Sequence, residues 1–144
     1  MRTLPYLTFD GTTREAMEHY QQVLGGTLDV RTFAEGGAVE AGQPHADKVM
    51  HAALVAGNVR LYASDHVPDF CGGAPFQAGS DVDSTLEGPE SDAEALRAAF
   101  AGLSEGGEIY MPLEMQMWGD EFGSFRDKFG KGWNIAIAIA SDVE

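Results

Sequence analysis

Polar and apolar positions alternate along the chain with two different periods. A helical period of 3.6 residues runs through two stretches, at about 13–24 and 92–104. Their apolar stripes are Ala16, Met17, Tyr20, Val23 and Leu24 in the first and Leu96, Ala99, Phe100 and Leu103 in the second. Other stretches alternate with the period of two that is typical of strands. The predicted strands cover about 4–10, 27–34, 48–56, 58–65, 82–88, 108–118, 122–128 and 132–140.

The two predicted helices carry the same start and stop signals. Each begins with a hydroxyl residue that is followed three positions later by Glu, as in a capping box. Each ends at a pair of glycines, which suits the left-handed residue that closes many helices. The caps are Thr12 with Glu15 and Ser91 with Glu94, and the glycine pairs are Gly25-Gly26 and Gly106-Gly107.

This repetition predicts an α+β fold of paired βαβββ modules, because strand, helix and three strands occur twice in the same order. We expect a single domain over residues 1–144, with modules at about 1–66 and 81–144 joined by a loop at 66–80. The segment 35–47 is also rich in Gly, Pro and Ala and is predicted to be a loop.

The faces of the strands differ, which predicts where a ligand would bind. In 108–118, an apolar face of Ile109, Met111, Leu113, Met115 and Met117 is expected to pack on a helix. The opposite face is mixed and contains Glu114, Gln116 and Trp118. We expect such mixed faces to line a partly solvated concavity that a small molecule could enter.

Charge narrows the classes of partner. The 144 residues include 23 acidic and nine basic side chains, a formal net charge of -14. This field repels phosphate backbones and anionic lipids, so neither nucleic acid nor a membrane is an expected partner. The chain lacks an apolar run of the roughly 20 residues that a spanning helix needs, and its N-terminus lacks the apolar core of a signal peptide. With one cysteine, Cys71, we expect a cytoplasmic protein without an internal disulfide.

Four segments carry a family resemblance. They are PYLTFDG at 5–11, REAMEHYQQVLGG at 14–26, DKVMHAALVAGNVRLYASD at 47–65 and GGEIYMPLEMQMWGDEFGSFRDKFGKGW at 106–133. In these segments the chain resembles the vicinal oxygen chelate superfamily of glyoxalases, bleomycin-resistance proteins and dioxygenases. More narrowly, it is similar to the PhnB-like branch, often labelled demethylubiquinone-methyltransferase-like. The resemblance implies eight strands that form a cup, and a homodimer. A methyltransferase is not expected, because no glycine-rich turn joins a strand to a helix.

The resemblance also implies where a catalytic metal would bind. Superfamily enzymes hold a divalent metal through His and Glu side chains on four strands, and the matching positions here fall near Pro5, Tyr62, Asp83 and Ala136. Only Asp83 is an ordinary metal ligand, whereas a catalytic site needs about three. We therefore expect no metal cofactor.

Several side chains have both a chemical and a structural interpretation. His51 could be a general base or a histidine satisfied by its neighbours. Glu114 could be an acid or base of raised pKa, or a rim residue paired to Arg60 or Lys128. Trp118 could stack on a planar ligand or close the packing. Asp65 and His66 could bind metal with the nearby Asp69, although a solvated turn is the simpler interpretation.

The sequence favours a metal-free, cup-shaped protein that binds a small organic molecule. The candidate ligand-binding face consists of His51, Tyr62, Glu114, Gln116 and Trp118. An alternative is a lyase, isomerase or dioxygenase that uses a displaced metal site or a general base. A third possibility is a cup filled by its own loops, in a protein that acts through its dimer surface. A neutral or cationic ligand suits the acidic chain.

Overall fold

The computed structural model describes residues 1–138, and the chain divides into two compact units, Met1–Gln77 and Ala78–Glu144. Ile139 and Ala140, which were predicted to extend the last strand, lie outside the described residues. No helix in the described part of the chain has the length and apolar content of a membrane span.

The first unit has the predicted βαβββ order. Its elements are β1 (Tyr6–Phe9), α1 (Thr13–Leu24), β2 (Thr27–Thr32), β3 (Val49–Ala56) and β4 (Val59–Asp65). The sheet order is β1-β4-β3-β2, in which β1 pairs with β4 in parallel and the other pairs are antiparallel. A short 3₁₀ turn at Pro68–Phe70 follows the sheet.

The second unit repeats this topology. Its elements are β5 (Ser84–Pro89), a 3₁₀ turn (Glu90–Asp92), α2 (Ala93–Ser104), β6 (Glu108–Met115), β7 (Glu121–Arg126) and β8 (Gly132–Ala138). The sheet order is β5-β8-β7-β6, again with one parallel pair, β5 with β8. The α+β fold of paired βαβββ modules is therefore confirmed.

Each helix buries its apolar stripe on one face of its own sheet. Fully burying an aliphatic or aromatic side chain stabilises the fold by about 1.5–3 kcal/mol, so each stripe fixes the side on which its helix packs. In the first unit the buried residues are Ala16, Met17 and Tyr20 of α1 with Ala52, Leu54, Leu61 and Ala63 of the sheet. In the second they are Leu96, Ala99 and Leu103 of α2 with Phe125, Trp133, Ile135 and Ile137.

The two predicted capping boxes are wrong. Thr12 is the N-cap of α1, but its side chain makes no capping hydrogen bond. The carboxylate of Asp65 instead accepts the backbone N–H of Thr13 at 3.1 Å. In the second unit the 3₁₀ turn occupies Ser91, and α2 starts after Asp92. A cap supplied from another strand cannot be seen in the local sequence.

The second glycine of each pair permits two backbones to approach closely. A Cβ on Gly26 would lie 2.7 Å from Cα of Ala56 at the end of β3. A Cβ on Gly107 would lie 2.9 Å from Cα of Asp127 just beyond β7. Both glycines come just before the strand that follows the helix, so the repeated topology repeats this steric requirement.

Strand β6 is shorter and more exposed than the sequence predicts. It ends at Met115, so Gln116 and Trp118 lie in the turn towards β7. Its pairing with β7 shifts register twice, which interrupts the simple alternation of faces. The apolar face predicted to pack on a helix is therefore largely exposed at Ile109, Met111, Met115 and Met117.

Candidate functional site

Three rings, Tyr6, His51 and Tyr62, form a cluster on the face of the first sheet that α1 leaves uncovered; we refer to them as the aromatic cluster. Tyr6 lies beside Tyr62 because β1 and β4 pair in parallel with these residues in register. The centroid of His51 lies 5.0 Å from that of Tyr62 and 5.9 Å from that of Tyr6. The two tyrosine centroids are 6.5 Å apart. Tyr6 is 53% exposed, so the cluster presents ring surface to solvent.

Polar groups surround the aromatic cluster. The hydroxyl of Tyr6 lies 3.4 Å from Nδ1 of His51. Arg2 donates from Nη2 to the hydroxyl oxygen of Tyr62 at 3.3 Å. Arg31 stands opposite His51 in the β2–β3 pair. Flat ring surface beside a few hydrogen-bonding groups is the usual composition of a small-molecule site.

The structure thus brings together two of the predicted residues, His51 and Tyr62, and adds two that sequence reasoning missed. Tyr6 and Arg2 both contact Tyr62 across about 60 residues of chain. The repeated βαβββ pattern was a usable signal for Tyr6. A parallel β1–β4 pair places an exposed residue of the first strand directly beside Tyr62.

The three predicted residues of the second unit lie where β6 ends. Trp118 is 58% exposed and contacts Phe122 edge to face at a centroid distance of 6.0 Å. The side-chain amide of Gln116 donates to the backbone oxygens of Glu114 and Phe122 at 3.2 and 3.3 Å. Gln116 therefore closes the turn with its side chain, while Glu114 and Trp118 remain accessible on the surface.

Arg126 is a fixed cation next to β6. It donates from Nε to the hydroxyl of Tyr110 at 3.1 Å and from Nη1 to the backbone oxygen of Gly130 at 2.7 Å. The hydrogen bond to Tyr110 is the main cause that raises the pKa of Arg126 above its ordinary value. Its hydrogen-bond partners are neutral, and the nearby carboxylates of Asp83 and Asp127 also favour its charged form.

Three other charged groups in this unit, Arg97, Glu121 and Lys131, have pKa values shifted by pairing or burial. Arg97 of α2 pairs with Glu121 of β7, and this hydrogen bond lowers the pKa of Glu121 and raises that of Arg97. The Arg97 side chain is 52% exposed, so solvent screens the pair and it contributes little stability. Burial lowers the pKa of Lys131. Of these three residues, only Glu121 belongs to the β6–β7 strand pair. There it stands opposite Met115, next to the predicted site residues Glu114 and Gln116 in the chain.

Asp65 and His66 do not form the metal cluster considered from the sequence. The two carboxylate oxygens of Asp65 accept the backbone N–H groups of Thr13 and Val49, at 3.1 and 2.8 Å. The His66 ring nitrogen Nε2 lies 2.7 Å from the backbone oxygen of Ala74. Both side chains therefore hold the backbone. The solvated turn expected as the simpler interpretation is wrong for Asp65, which is buried at the end of β4.

Asp127 has a comparable role in the segment that joins β7 and β8. Its Oδ1 accepts the backbone N–H groups of Phe129 and Lys131, both at 2.9 Å. Its Oδ2 accepts the indole N–H of Trp133 at 2.8 Å. Asp127 belongs to the segment 106–133, which carries the narrower family resemblance. At this residue the segment forms a turn that the buried carboxylate holds together.

The four superfamily metal positions do not gather a set of donors. The backbone oxygen of Pro5 accepts the N–H of Tyr62 at 3.1 Å, so these positions are adjacent without a ligating pair. Ala136 stands beside Glu87 in the β5–β8 pair. Asp83 lies beside Gly132. Gly132 and Ala136 are four residues apart, which is about 13 Å along a strand, so Asp83 does not lie beside Ala136. Among residues 1–138, no three His, Cys, Asp or Glu side chains form a metal-binding group. The residues present therefore do not fit the superfamily metal.

Comparison with known proteins identifies the family. The family profile described as "Glyoxalase/Bleomycin resistance protein/Dioxygenase superfamily" matches residues 4–135. An uncharacterised protein of Mycobacterium bovis, Mb0911c, is 36% identical over 108 residues. That match covers 71% of this chain and 68% of the relative.

Two solved structures share the fold along nearly the whole chain. Protein PA1353 from Pseudomonas aeruginosa superposes with a TM-score of 0.79 at 34% identity, covering 97% of this chain and 99% of that one. A PhnB protein from Bacillus cereus gives a TM-score of 0.72 at 20% identity, covering 96% and 100%. Together with the matched profile, these relatives show that the chain belongs to the glyoxalase/bleomycin resistance protein/dioxygenase superfamily.

Proposed function

We propose that this superfamily member is a metal-free protein of the PhnB-like branch that binds a small organic molecule at the aromatic cluster. The observation that carries the proposal is the juxtaposition of Tyr6, His51 and Tyr62, with centroids 5.0–6.5 Å apart on the sheet face opposite α1. Rings in this arrangement offer a planar ligand both edges and faces. The fold of the B. cereus PhnB protein supports the assignment to the branch.

The donor set supports binding without a metal. The superfamily positions carry Pro5, Tyr62 and Ala136, and Asp83 lies about 13 Å along the strand pair from Ala136. Arg2 and the Tyr6 hydroxyl give the aromatic cluster its own polar contacts for orienting a ligand. The exposed, free thiol of Cys71 suits the reducing cytoplasm that we propose as its compartment.

A second candidate is an enzyme of the same superfamily, a lyase, isomerase or dioxygenase. The observation that favours it is the approach of the Tyr6 hydroxyl to Nδ1 of His51 at 3.4 Å. This pair could transfer a proton, with His51 as general base. Such an enzyme would need a displaced metal site or none.

The binding proposal is tested with a neutral planar probe, 2-naphthol, titrated by calorimetry. Replacing Tyr62 or Tyr6 by Ala removes aromatic contacts that contribute about 0.5–1.5 kcal/mol each beyond their buried area. We therefore expect binding to weaken about tenfold in Y62A and in Y6A. The matched control is Tyr110→Ala, because Tyr110 is also a 53% exposed tyrosine but belongs to the second unit.

Equal losses in Y6A and Y110A would contradict a site at the aromatic cluster. Binding of 2-naphthol that requires an added divalent metal would contradict the metal-free proposal and favour the enzyme.

A further inference from the structure

A cavity of about 470 Å³ lies in the first unit where β4 ends and α1 begins. Its polar lining consists of Arg14, Gln43, His45, Asp47, Lys48 and Asp65. It shares no residue with the aromatic cluster. Its volume falls in the range of about 300–1,000 Å³ that small-molecule pockets occupy.

One wall of the cavity is an ordered turn. The backbone N–H of Ala46 donates to Gln43 and that of Lys48 donates to His45, both at 3.1 Å. His45 adopts a φ of 68° and its Nε2 lies 3.4 Å from a carboxylate oxygen of Asp69. These contacts fix the backbone from which the lining side chains project.

Two cations lie on this lining. A Cβ on Gly11 would be 3.1 Å from Nζ of Lys48, so the ammonium group rests against a residue that has no side chain. Arg14 belongs to the first turn of α1. Among residues 1–138 the salt bridges within 4 Å are His45–Asp69 and Arg97–Glu121, so neither Lys48 nor Arg14 is paired there.

Two carboxylates line the same cavity. Asp65 is 7% exposed and accepts two backbone N–H groups, while Asp47 is exposed. In the described residues, neither forms a salt bridge with Arg14 or Lys48. A simple anion would meet repulsion from both carboxylates, and a simple cation would meet repulsion from both cations.

We propose that this cavity binds a small zwitterion of the amino-acid class. Its acidic group contacts Arg14 and Lys48, since a guanidinium offers two parallel N–H donors to a carboxylate. Its ammonium group contacts the exposed Asp47, next to the buried Asp65, whose two oxygens accept the backbone N–H groups of Thr13 and Val49. A ligand with both charges meets the two cations and Asp47 at once, which neither half alone can do.

The test titrates 4-aminobutyrate, butyrate and butylamine at constant ionic strength, followed by calorimetry. The series from 3-aminopropanoate to 6-aminohexanoate then varies the separation of the charges. We expect saturable binding of at least one of these amino acids, about tenfold or more tighter than butyrate or butylamine. This ratio follows from the loss of one charge-assisted contact. The Y6A variant keeps this binding, which separates the result from that for the aromatic cluster.

Substitutions of the lining residues test which charged side chains contact the ligand. Replacing Arg14 and Lys48 together by Gln abolishes binding of the tightest amino acid, and Asp47→Asn weakens it without weakening butyrate. The matched controls, Lys128→Gln and Asp81→Asn, lie in the second unit and leave binding unchanged. The proposal is overturned by the absence of saturable binding, by equal binding of butyrate or butylamine, or by variants that bind as the original chain does.

Discussion

At the scale of single residues, two buried carboxylates hold the loops that surround the sheets. Asp65 joins the start of α1 to the start of β3, and Asp127 ties its own turn to Trp133. Each is less than 10% exposed. A buried carboxylate is tolerated when N–H groups satisfy its oxygens, and hydrogen bonds to charged groups contribute about 1.5–3 kcal/mol each.

Replacing Asp127 by Asn tests this role. The amide offers one acceptor instead of two, so whichever way it is oriented at least one N–H faces another donor. We expect the free energy of unfolding to fall by about 2–3 kcal/mol. Urea titration followed by the fluorescence of the tryptophans measures this loss.

The control is Asp81→Asn, at an exposed position of the same unit. It is expected to change the free energy of unfolding by less than about 0.5 kcal/mol. If D127N were as stable as D81N, the hydrogen bonds of Asp127 would not be important for stability.

These roles could not be predicted from the sequence because the partners are distant or lie in irregular turns. Asp65 and Thr13 are far apart in the chain, and the local signal at Thr12 and Glu15 pointed to a cap that does not form. His51 and Tyr62 could be singled out by strand alternation, whereas Arg2 gave no pattern to read.

At the scale of elements, the junction between each helix and the next strand is sterically constrained in both units. Gly26 and Gly107 occupy equivalent places, each pressed against the backbone of the adjacent strand. Gly107 is the cleaner test, because its backbone, unlike that of Gly26, does not have a positive φ. A substitution there is opposed by packing alone.

Replacing Gly107 by Ala should therefore destabilise the second unit. The added methyl group would overlap the backbone of Arg126 and Asp127, and overpacking of this kind costs about 1–3 kcal/mol. Thermal unfolding monitored by circular dichroism measures the effect. The matched control is Gly79→Ala, where the nearest atom to an added Cβ is a side-chain oxygen of Asp81 at 3.5 Å.

A G107A protein as stable as G79A would contradict the close approach of these backbones. The glycine pairs were recognisable in the sequence as helix stops, and both helices do end next to them. The second glycine of each pair also allows a close approach to the backbone of a neighbouring strand. This requirement could be recognised only from the sheet order.

Strand β6 shows where periodicity misleads. The alternation of apolar residues continues through Met117, but the backbone turns, with Gln116 accepting from Gly119 and donating to Asp120. Two register shifts in the pairing with β7 further change which side chains share a face. The hydrophobic pattern alone cannot predict a bulge at a sheet edge.

At the scale of the whole molecule, we propose that the homodimer implied by the family resemblance forms through the exposed edge strand β6. Ile109 and Met115 of β6 are 48 and 55% exposed, and Met117 just after the strand is 99% exposed. Exposed apolar side chains along an edge strand favour association. We expect sedimentation velocity to give twice the mass of one chain. Replacing Ile109 and Met115 together by Lys is expected to yield a monomer.

The control for this pair is Val82→Lys, which alters an 82% exposed apolar residue away from β6. It should remain a dimer. A monomeric wild-type chain, or a dimer unaffected by the two lysines, would contradict association through β6.

The architecture was more predictable than the chemistry. Duplicated start and stop signals and strand periods predicted both βαβββ units, because they depend on local pattern. The candidate site depends on which strands are neighbours, and so Tyr6 was missed although Tyr62 was found. The charged cavity near Arg14 and Lys48 draws on three separate segments and had no signal in the sequence.

The most direct test of the account is the response of the untagged protein to divalent metals. Elemental analysis should find far less than one equivalent of Ni, Zn, Mn or Fe, and titration with each should leave the melting temperature unchanged. A metal at 100 times its dissociation constant would stabilise the fold by about 2.7 kcal/mol, a shift of several degrees. One equivalent of bound metal with such a shift, lost in His51→Ala, would contradict a metal-free ligand-binding protein.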